Sequence, residues 1–321
     1  MNILVFGKDG QLGRAFNALF DKLPASAGVQ VTYLGRSECD LSKETEVLAR
    51  LDSSKADLII NASAYTAVDK AEVEVDLAYA VNAKAPELIA RYAAEHNATF
   101  FHYSTDYVFD GKKDGVYIES DNRNPLSAYG RSKAAGEEAI EKVFLNASKG
   151  QFAIFRTSWV YGEGGNFIRT MLRLAKEREE LKVIHDQYGI PTSAEWLAQI
   201  SLELALDSQF KLKPFASGIY HAVPAGQTSW HGLACFAVQV ALDSGVTLKA
   251  RPGTIRPILA VEYPLPAPRP MNSCMDSAKL RLALRNGSSN SYNEPQSVPN
   301  FPAWDGMVQE YVSQLASKGL I

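Results

Sequence analysis

Unbroken apolar runs and helical patterns alternate through the first half of the chain. Apolar stretches occupy positions 3–6, 29–34, 57–63, 98–104 and 151–158, with helical patterns at 11–21, 43–52, 76–96 and 131–145 between them. A strand of a parallel sheet is covered by helices on both faces, so it reads as a near-continuous hydrophobic run. The pattern predicts an α/β fold built on a doubly wound parallel sheet, whose ligands sit beyond the carboxyl ends of the strands. Polar and glycine positions collect at those ends: Gly7, Gly35-Arg36, Asn61, Ser104-Thr105 and Thr157-Ser158. Past position 160 the alternation loosens. Helices are expected at 166–179, 194–207 and 230–243, the proline-rich stretch 251–270 as ordered loops over a site, and 286–300 as an exposed loop.

The stretch "GKDGQLG" follows the first apolar run and carries Gly7, Gly10 and Gly13. Glycines between a buried strand and a helix let backbone approach a pyrophosphate, and the helix N-terminus supplies the positive end. The spacing is one residue longer than the usual G-x-G-x-x-G fingerprint. It marks residues 1–160 as a Rossmann-type dinucleotide-binding domain. Residues 161–321 are then mainly a smaller C-terminal α/β substrate-binding region, with some segments returning to the main sheet.

Within "SAYGRSK", Tyr129 and Lys133 are one helical turn apart on one face. A phenol titrates near ~10, and an ammonium beside it lowers that value toward useful acid–base chemistry. An aromatic packed under a lysine stem is the competing explanation. The glycine loop, and Thr105 with Asp106 at the end of the preceding strand, favour a catalytic pair. A strict NAD binder places a carboxylate at the end of the second strand, about 20 residues past the glycines. Here that place reads "YLGRSE", with Arg36 and Ser37 and no carboxylate before Glu38. A guanidinium with a hydroxyl suits a 2′-phosphate, so NADPH is the expected cofactor with NADH tolerated. Stacking of Arg36 on adenine is the alternative.

With 33 Lys+Arg against 36 Asp+Glu, the charge directs the chain to neither nucleic acid nor membrane. No apolar run reaches spanning length and no signal-peptide pattern opens the chain. The three cysteines, Cys39, Cys235 and Cys274, are odd in number and far apart. They fit a reducing cytoplasm rather than a disulfide framework or a zinc site. The five histidines show no ligand spacing, so each is expected on the surface or in packing, and no metal is expected.

The motifs "NASAYTAVDKAE", "VNAKAPELIA", "HYSTDYVFDG", "NPLSAYGRSKAAGE", "FRTSWVYG", "DQYGIPT" and "APRPMNS" extend over nearly the whole chain. On them, with the glycine loop, the sequence resembles the extended short-chain dehydrogenase/reductases, and within these the dTDP-4-dehydrorhamnose reductase family. The resemblance implies NADPH-dependent reduction of the C4 keto group of a dTDP-linked 4-keto-6-deoxy sugar, the last step of dTDP-rhamnose synthesis. It implies that Tyr129 donates the proton, Lys133 holds the nicotinamide ribose and lowers the Tyr129 pKa, and Thr105 bonds the reacting oxygen. Gly7, Gly10, Gln11, Leu12, Gly13, Asp40, Leu41, Ala62, Ala64, Tyr65, Thr66 and Tyr103 match cofactor positions. Val68, Asp106, Tyr107 and Trp159 match substrate positions, and Arg269 is a candidate cation for the substrate diphosphate. Two alternatives stay open at this point. One is a reductase of another nucleotide-linked keto sugar. The other is a non-catalytic regulatory subunit resembling the methionine adenosyltransferase beta subunit, which the absence of an arm before the first strand disfavours. Some relatives dimerise through magnesium held by three acidic positions; here these are Ala15, Glu195 and Asp305, and the first offers no oxygen. A monomer or weak homodimer without interface metal is therefore expected.

Overall fold

A computed structural model describes residues 1–287 and 300–321; most of the loop expected at 286–300 lies outside the described residues. The first half runs β1 (Asn2–Phe6), α1 (Gln11–Phe20), β2 (Gln30–Leu34), α2 (Glu44–Ser54), β3 (Leu58–Asn61), α3 (Val68–Ala71), α4 (Val75–Tyr79), α5 (Ala85–Glu95), β4 (Thr99–Thr105), α6 (Ala128–Leu145) and β5 (Gln151–Thr157). The second half adds β6 (Val160–Tyr161), α7 (Phe167–Glu177), β7 (Leu181–Ile184), β8 (Tyr188–Gly189), β9 (Thr192–Ser193), α8 (Ala194–Ala205) and β10 (Gly218–His221). It ends with β11 (Thr228–Ser229), α9 (Trp230–Asp243), β12 (Ile255–Ile258), α10 (Ala278–Gly287) and α11 (Trp304–Ser317).

Six strands form one parallel sheet in the order β10-β5-β4-β3-β1-β2. Successive side chains of a strand point to opposite faces, and both faces are buried here. Ile3, Val5, Ile60, Phe101 and Phe155 pack with α1 and α8, while Leu4, Phe6, Ile59, Phe100 and Ile154 pack with α2, α5 and α6. Winding reverses at β1, with β2 on one side and β3 on the other. The carboxyl ends of β1 and β3 therefore open the crevice in which doubly wound sheets bind ligands.

Later segments return to this sheet. β10 pairs with β5, α8 packs on α1, and α10 packs on β10. The remaining elements build a second core around α7, α9 and α11, with β7 paired to β12. Among the described residues, no helix is long and apolar enough to cross a membrane.

The single helix expected at 76–96 is interrupted by a π turn at Ala80–Lys84. The turn presents buried Asn82, whose side chain accepts from Tyr65 N (2.8 Å) and donates to Tyr65 O (3.1 Å) and Ser132 Oγ (3.0 Å). A Cβ at Gly136 would lie 2.1 Å from Asn82 O, so only glycine lets α6 approach this close. The extra residue of the π turn thus ties the loop after β3 to the helix that carries Tyr129.

Candidate active site

The glycine loop folds as a tight cradle. Gly7 has φ +89°, a left-handed value that glycine adopts freely. A Cβ at Gly13 would sit 2.1 Å from Gly7 O, so α1 can pack on the turn only without one. Gly10 is the N-cap of α1 and offers no side-chain cap, leaving the first-turn N–H groups of Gln11, Leu12 and Gly13 for an anion. Gly7, Gly10, Gln11 and Leu12 open onto a groove of about 800 Å³ that runs along the strand ends, past Ala62, Ala64, Thr66, Val68 and Tyr103 to Thr105, Tyr129 and Lys133. Gln11 Oε1 and Thr157 Oγ1 line it, buried and without a protein partner. Two orphaned polar atoms and a glycine-walled cradle suit a polar, phosphate-bearing group of dinucleotide length.

At the other end, Asp40, Leu41, Ala64 and Tyr65 line a small pocket that shares Gly7, Gly35 and Arg36 with the groove. Arg36 is exposed at this edge. No carboxylate precedes Glu38 in this turn, but Glu38 itself and Asp9 of the glycine loop fold against Gly35. A Cβ at Gly35 would lie 2.2 Å from Asp9 Oδ2 and 3.0 Å from Glu38 Oε2, because the glycine loop and the turn after β2 both fold onto it. Glu38 is neutralised there. Its carboxylate accepts from Lys8 Nζ (2.6 Å) and Gly35 N (2.8 Å) and is held down to about 2, the lysine bond being the largest cause. Ser37 hydrogen-bonds the same carboxylate.

Helix α6 begins at Ser127, whose Oγ accepts from Gly130 N (3.1 Å). This start puts Tyr129 in the first turn and Lys133 in the next, both buried. Thr105 Oγ1 donates to Asp106 Oδ1 (2.9 Å), accepts from Tyr107 N (3.2 Å) and is hydrogen-bonded to the Tyr129 phenol. Tyr107 packs edge-on to Tyr129, ring centroids 5.4 Å apart. Lys133 lines the groove with Tyr129 and Thr105. Its Nζ donates to Tyr103 O (2.5 Å) and lies 3.1 Å from His102 Nε2, facing β4. Burial raises the Tyr129 pKa, the Thr105 bond only partly opposing it, so the phenol is held protonated. Asp106 is likewise buried and pushed up to about 6, with Ser273 Oγ (2.5 Å) and Thr105 donating to it.

Trp159 closes the far wall of the groove. It takes a left-handed φ of +49° and stacks on Trp230, centroids 3.5 Å apart. A Cβ at Gly189 would lie 2.4 Å from its ring, which explains the glycine of "DQYGIPT". Beyond lies a second cavity of about 760 Å³, sharing Tyr107 and Trp230 with the groove and walled by α7, β7 and the 258–269 segment. Arg269, the candidate cation, lines it and is paired within the chain. Its Nη1 and Nη2 donate to Asp69 Oδ1 (2.8 Å) and Oδ2 (2.9 Å), binding the proline-rich segment to α3.

The family described as "RmlD substrate binding domain" matches residues 1–293. The chain belongs to this family. It is similar to the dTDP-4-dehydrorhamnose reductases of Escherichia coli strain K12, 42% identical over 88% of this chain and 91% of that one, and of Salmonella typhimurium, 43% identical over the same shares. Among solved structures, a dTDP-4-dehydrorhamnose reductase of Clostridium acetobutylicum superposes with TM-score 0.81 at 33% identity, over 98% of this chain and 99% of that one. The enzyme of Bacillus anthracis in complex with NADP gives 0.81 at 29% identity, over 97% and 98%.

One aromatic residue of this site carries no functional signal in the sequence. Trp230 opens α9 directly after an N-cap serine, a position that signals only a helix start. His102, one of the five histidines expected on the surface or in packing, is buried in β4 with Lys133 Nζ 3.1 Å from its Nε2.

Proposed function

We propose that this protein reduces the C4 keto group of dTDP-4-dehydro-6-deoxy-L-mannose (dTDP-4-dehydro-β-L-rhamnose) to give dTDP-L-rhamnose, with NADPH preferred and NADH tolerated. What carries the reading is the meeting of Thr105, Tyr129 and Lys133 in one groove with the glycine cradle, in a chain 42% identical to a named reductase of that sugar.

Gly7, Gly10 and the first turn of α1 would hold the pyrophosphate, Asp40, Leu41, Ala64 and Tyr65 the adenosine end, and Arg36 the 2′-phosphate. When bound, the reduced nicotinamide supplies the hydride. Tyr129 donates its proton to the keto oxygen, for which a phenol kept protonated by burial is in the required state. Thr105 Oγ1 aligns that oxygen, and Lys133 stabilises the phenolate that remains. Val68, Asp106, Tyr107 and Trp159 face the sugar, and the adjoining cavity takes the nucleoside diphosphate.

Nicotinamide oxidation is followed with the dTDP-linked keto sugar and with its UDP- and GDP-linked analogues. Turnover with the dTDP sugar is expected, falling ~100-fold or more in Tyr129→Phe while cofactor binding persists. A near-wild-type rate in that variant removes Tyr129 as the acid. A folded, cofactor-bound wild type with no turnover on any of the sugars points to the regulatory reading.

A further inference from the structure

We propose that His102 is a positioning residue that, with Asn61 behind it, sets the charge carried by Lys133. The proposal rests on the reading of Tyr129 and Lys133 above. Asn61, His102 and Lys133 are all fully buried. Ser63 N donates to Asn61 Oδ1 (3.2 Å), Asn61 Nδ2 lies 3.2 Å from His102 Nδ1, and His102 Nε2 lies 3.1 Å from Lys133 Nζ. Lys133 Nζ donates in turn to Tyr103 O.

The direction of each bond follows from the inventory of donors. The Ser63 N–H engages the Asn61 oxygen, so the amide NH₂ faces His102 and needs a lone pair on Nδ1. A neutral imidazole has one N–H and one lone pair. Nε2 therefore carries the hydrogen and presents it to Lys133. An ammonium has three donors and no acceptor, so it meets that N–H donor to donor; a neutral amine has a lone pair to receive it. The chain Ser63–Asn61–His102–Lys133–Tyr103 is consistent throughout only when the amine form completes it. Burial acts in the same sense, lowering Lys133 to about 8 and holding His102 neutral.

Other ionisable groups around Lys133 are accounted for. On α6, Glu137 favours the ammonium but is itself bound to Arg156 of β5 and to Arg123. Tyr129 precedes Lys133 by one turn. Asp106, beyond β4, is held by Thr105 and Ser273. His102 is thus the titratable side chain in direct contact with Nζ. In turnover the Tyr129 O–H bond breaks, its proton goes to the substrate oxygen, and the phenolate left behind is stabilised only by the ammonium form. The alkaline limb of kcat/KM then reports Lys133, and Asn61 with His102 determines where it falls.

Two variants reverse the chain. Asn61→Asp lets both carboxylate oxygens accept, from Ser63 N–H and from Nδ1–H, which turns the Nε2 lone pair toward an ammonium. His102→Gln can present its amide oxygen to Nζ directly. Each is expected to move the alkaline limb up by on the order of one pH unit. A limb that stays in place in folded, cofactor-binding variants, whatever happens to kcat, makes His102 a packing residue and overturns the proposal. Should neither variant fold, isotope-labelled lysine NMR of the wild type, with Lys133→Met for assignment, is expected to show one lysine titrating well below the others. Titration of Lys133 in the ordinary lysine range overturns the proposal. Tyr129→Phe is assayed alongside, and full activity there removes the underlying reading without reference to His102.

Discussion

Asp106 carries a carboxyl that burial pushes from its ordinary 3.8 up to about 6, although two hydroxyls donate to it. The folded chain then binds this proton more tightly than the unfolded chain. Between these two values the folded state holds more protons, so stability from this group is fully present below about 4 and is lost as pH rises through about 6. At neutral pH the buried charge costs on the order of 3 kcal/mol. Thr105 and Ser273 hydroxyls can rotate to serve an amide in its place. Asp106→Asn is therefore expected to melt above wild type at pH ~7, with the difference closing toward pH ~4. Melting curves at both pH values check this, and an equal difference at the two would mean that the charge is not the cause. A hydroxyl fixed by a carboxylate that is costly to bury is what a site gains when it needs Thr105 aimed at one oxygen.

At the scale of elements, the β1–α1 turn is the most constrained part of the groove. A Cβ at Gly13 meets the backbone of Gly7 at 2.1 Å, and backbone cannot rotate away as a side chain can. Gly13→Ala should push α1 off the turn, with a cost of roughly 1–3 kcal/mol and at least ~10-fold weaker cofactor binding. Gly165→Ala, with nothing within 4 Å of its Cβ on the same groove, is the control and should change neither. Cofactor titration with a thermal melt separates the two. At the end of β2 the exposed Arg36 follows Gly35, against which Asp9 and the Lys8-bound Glu38 fold. Arg36→Ala leaves the carboxylates without it, so the NADPH:NADH ratio of kcat/KM should fall roughly 10-fold or more. An unchanged ratio would leave stacking on adenine as its role. Strands and helices of the first half were legible because local periodicity reports burial. The π turn was not, since its cause is an interhelical contact, Asn82 O against Gly136. Nor was the Arg269–Asp69 pair, whose partners are 200 residues apart, or the turn of Lys133 toward His102. Each depends on which elements become neighbours, and local pattern does not carry that.

For the whole molecule, the open question is association. Of the three positions that the sequence resemblance would assign to an interface metal, Ala15 is not at the surface. It is buried between α1 and α8, packed with Ala194, Leu197 and Ala198. An oxygen ligand there would need α1 to present a different face. Glu195 and Asp305 are exposed, each in the first turn of its helix, where a carboxylate is favoured by the helix dipole; Asp305 Oδ1 also accepts from Gly306 N (2.8 Å). Magnesium asks for near-octahedral oxygen ligation and gives up its waters reluctantly, so two exposed carboxylates on separate helices are a poor substitute for a three-acid set. The expected outcome is a monomer, or a weak dimer held by other surfaces, with a sedimentation coefficient that does not respond to magnesium. Sedimentation velocity with excess magnesium and then with chelator checks it. A dimer that dissociates only when chelator is added would show that the bridge forms without an acid at position 15, and the association argued here would be wrong.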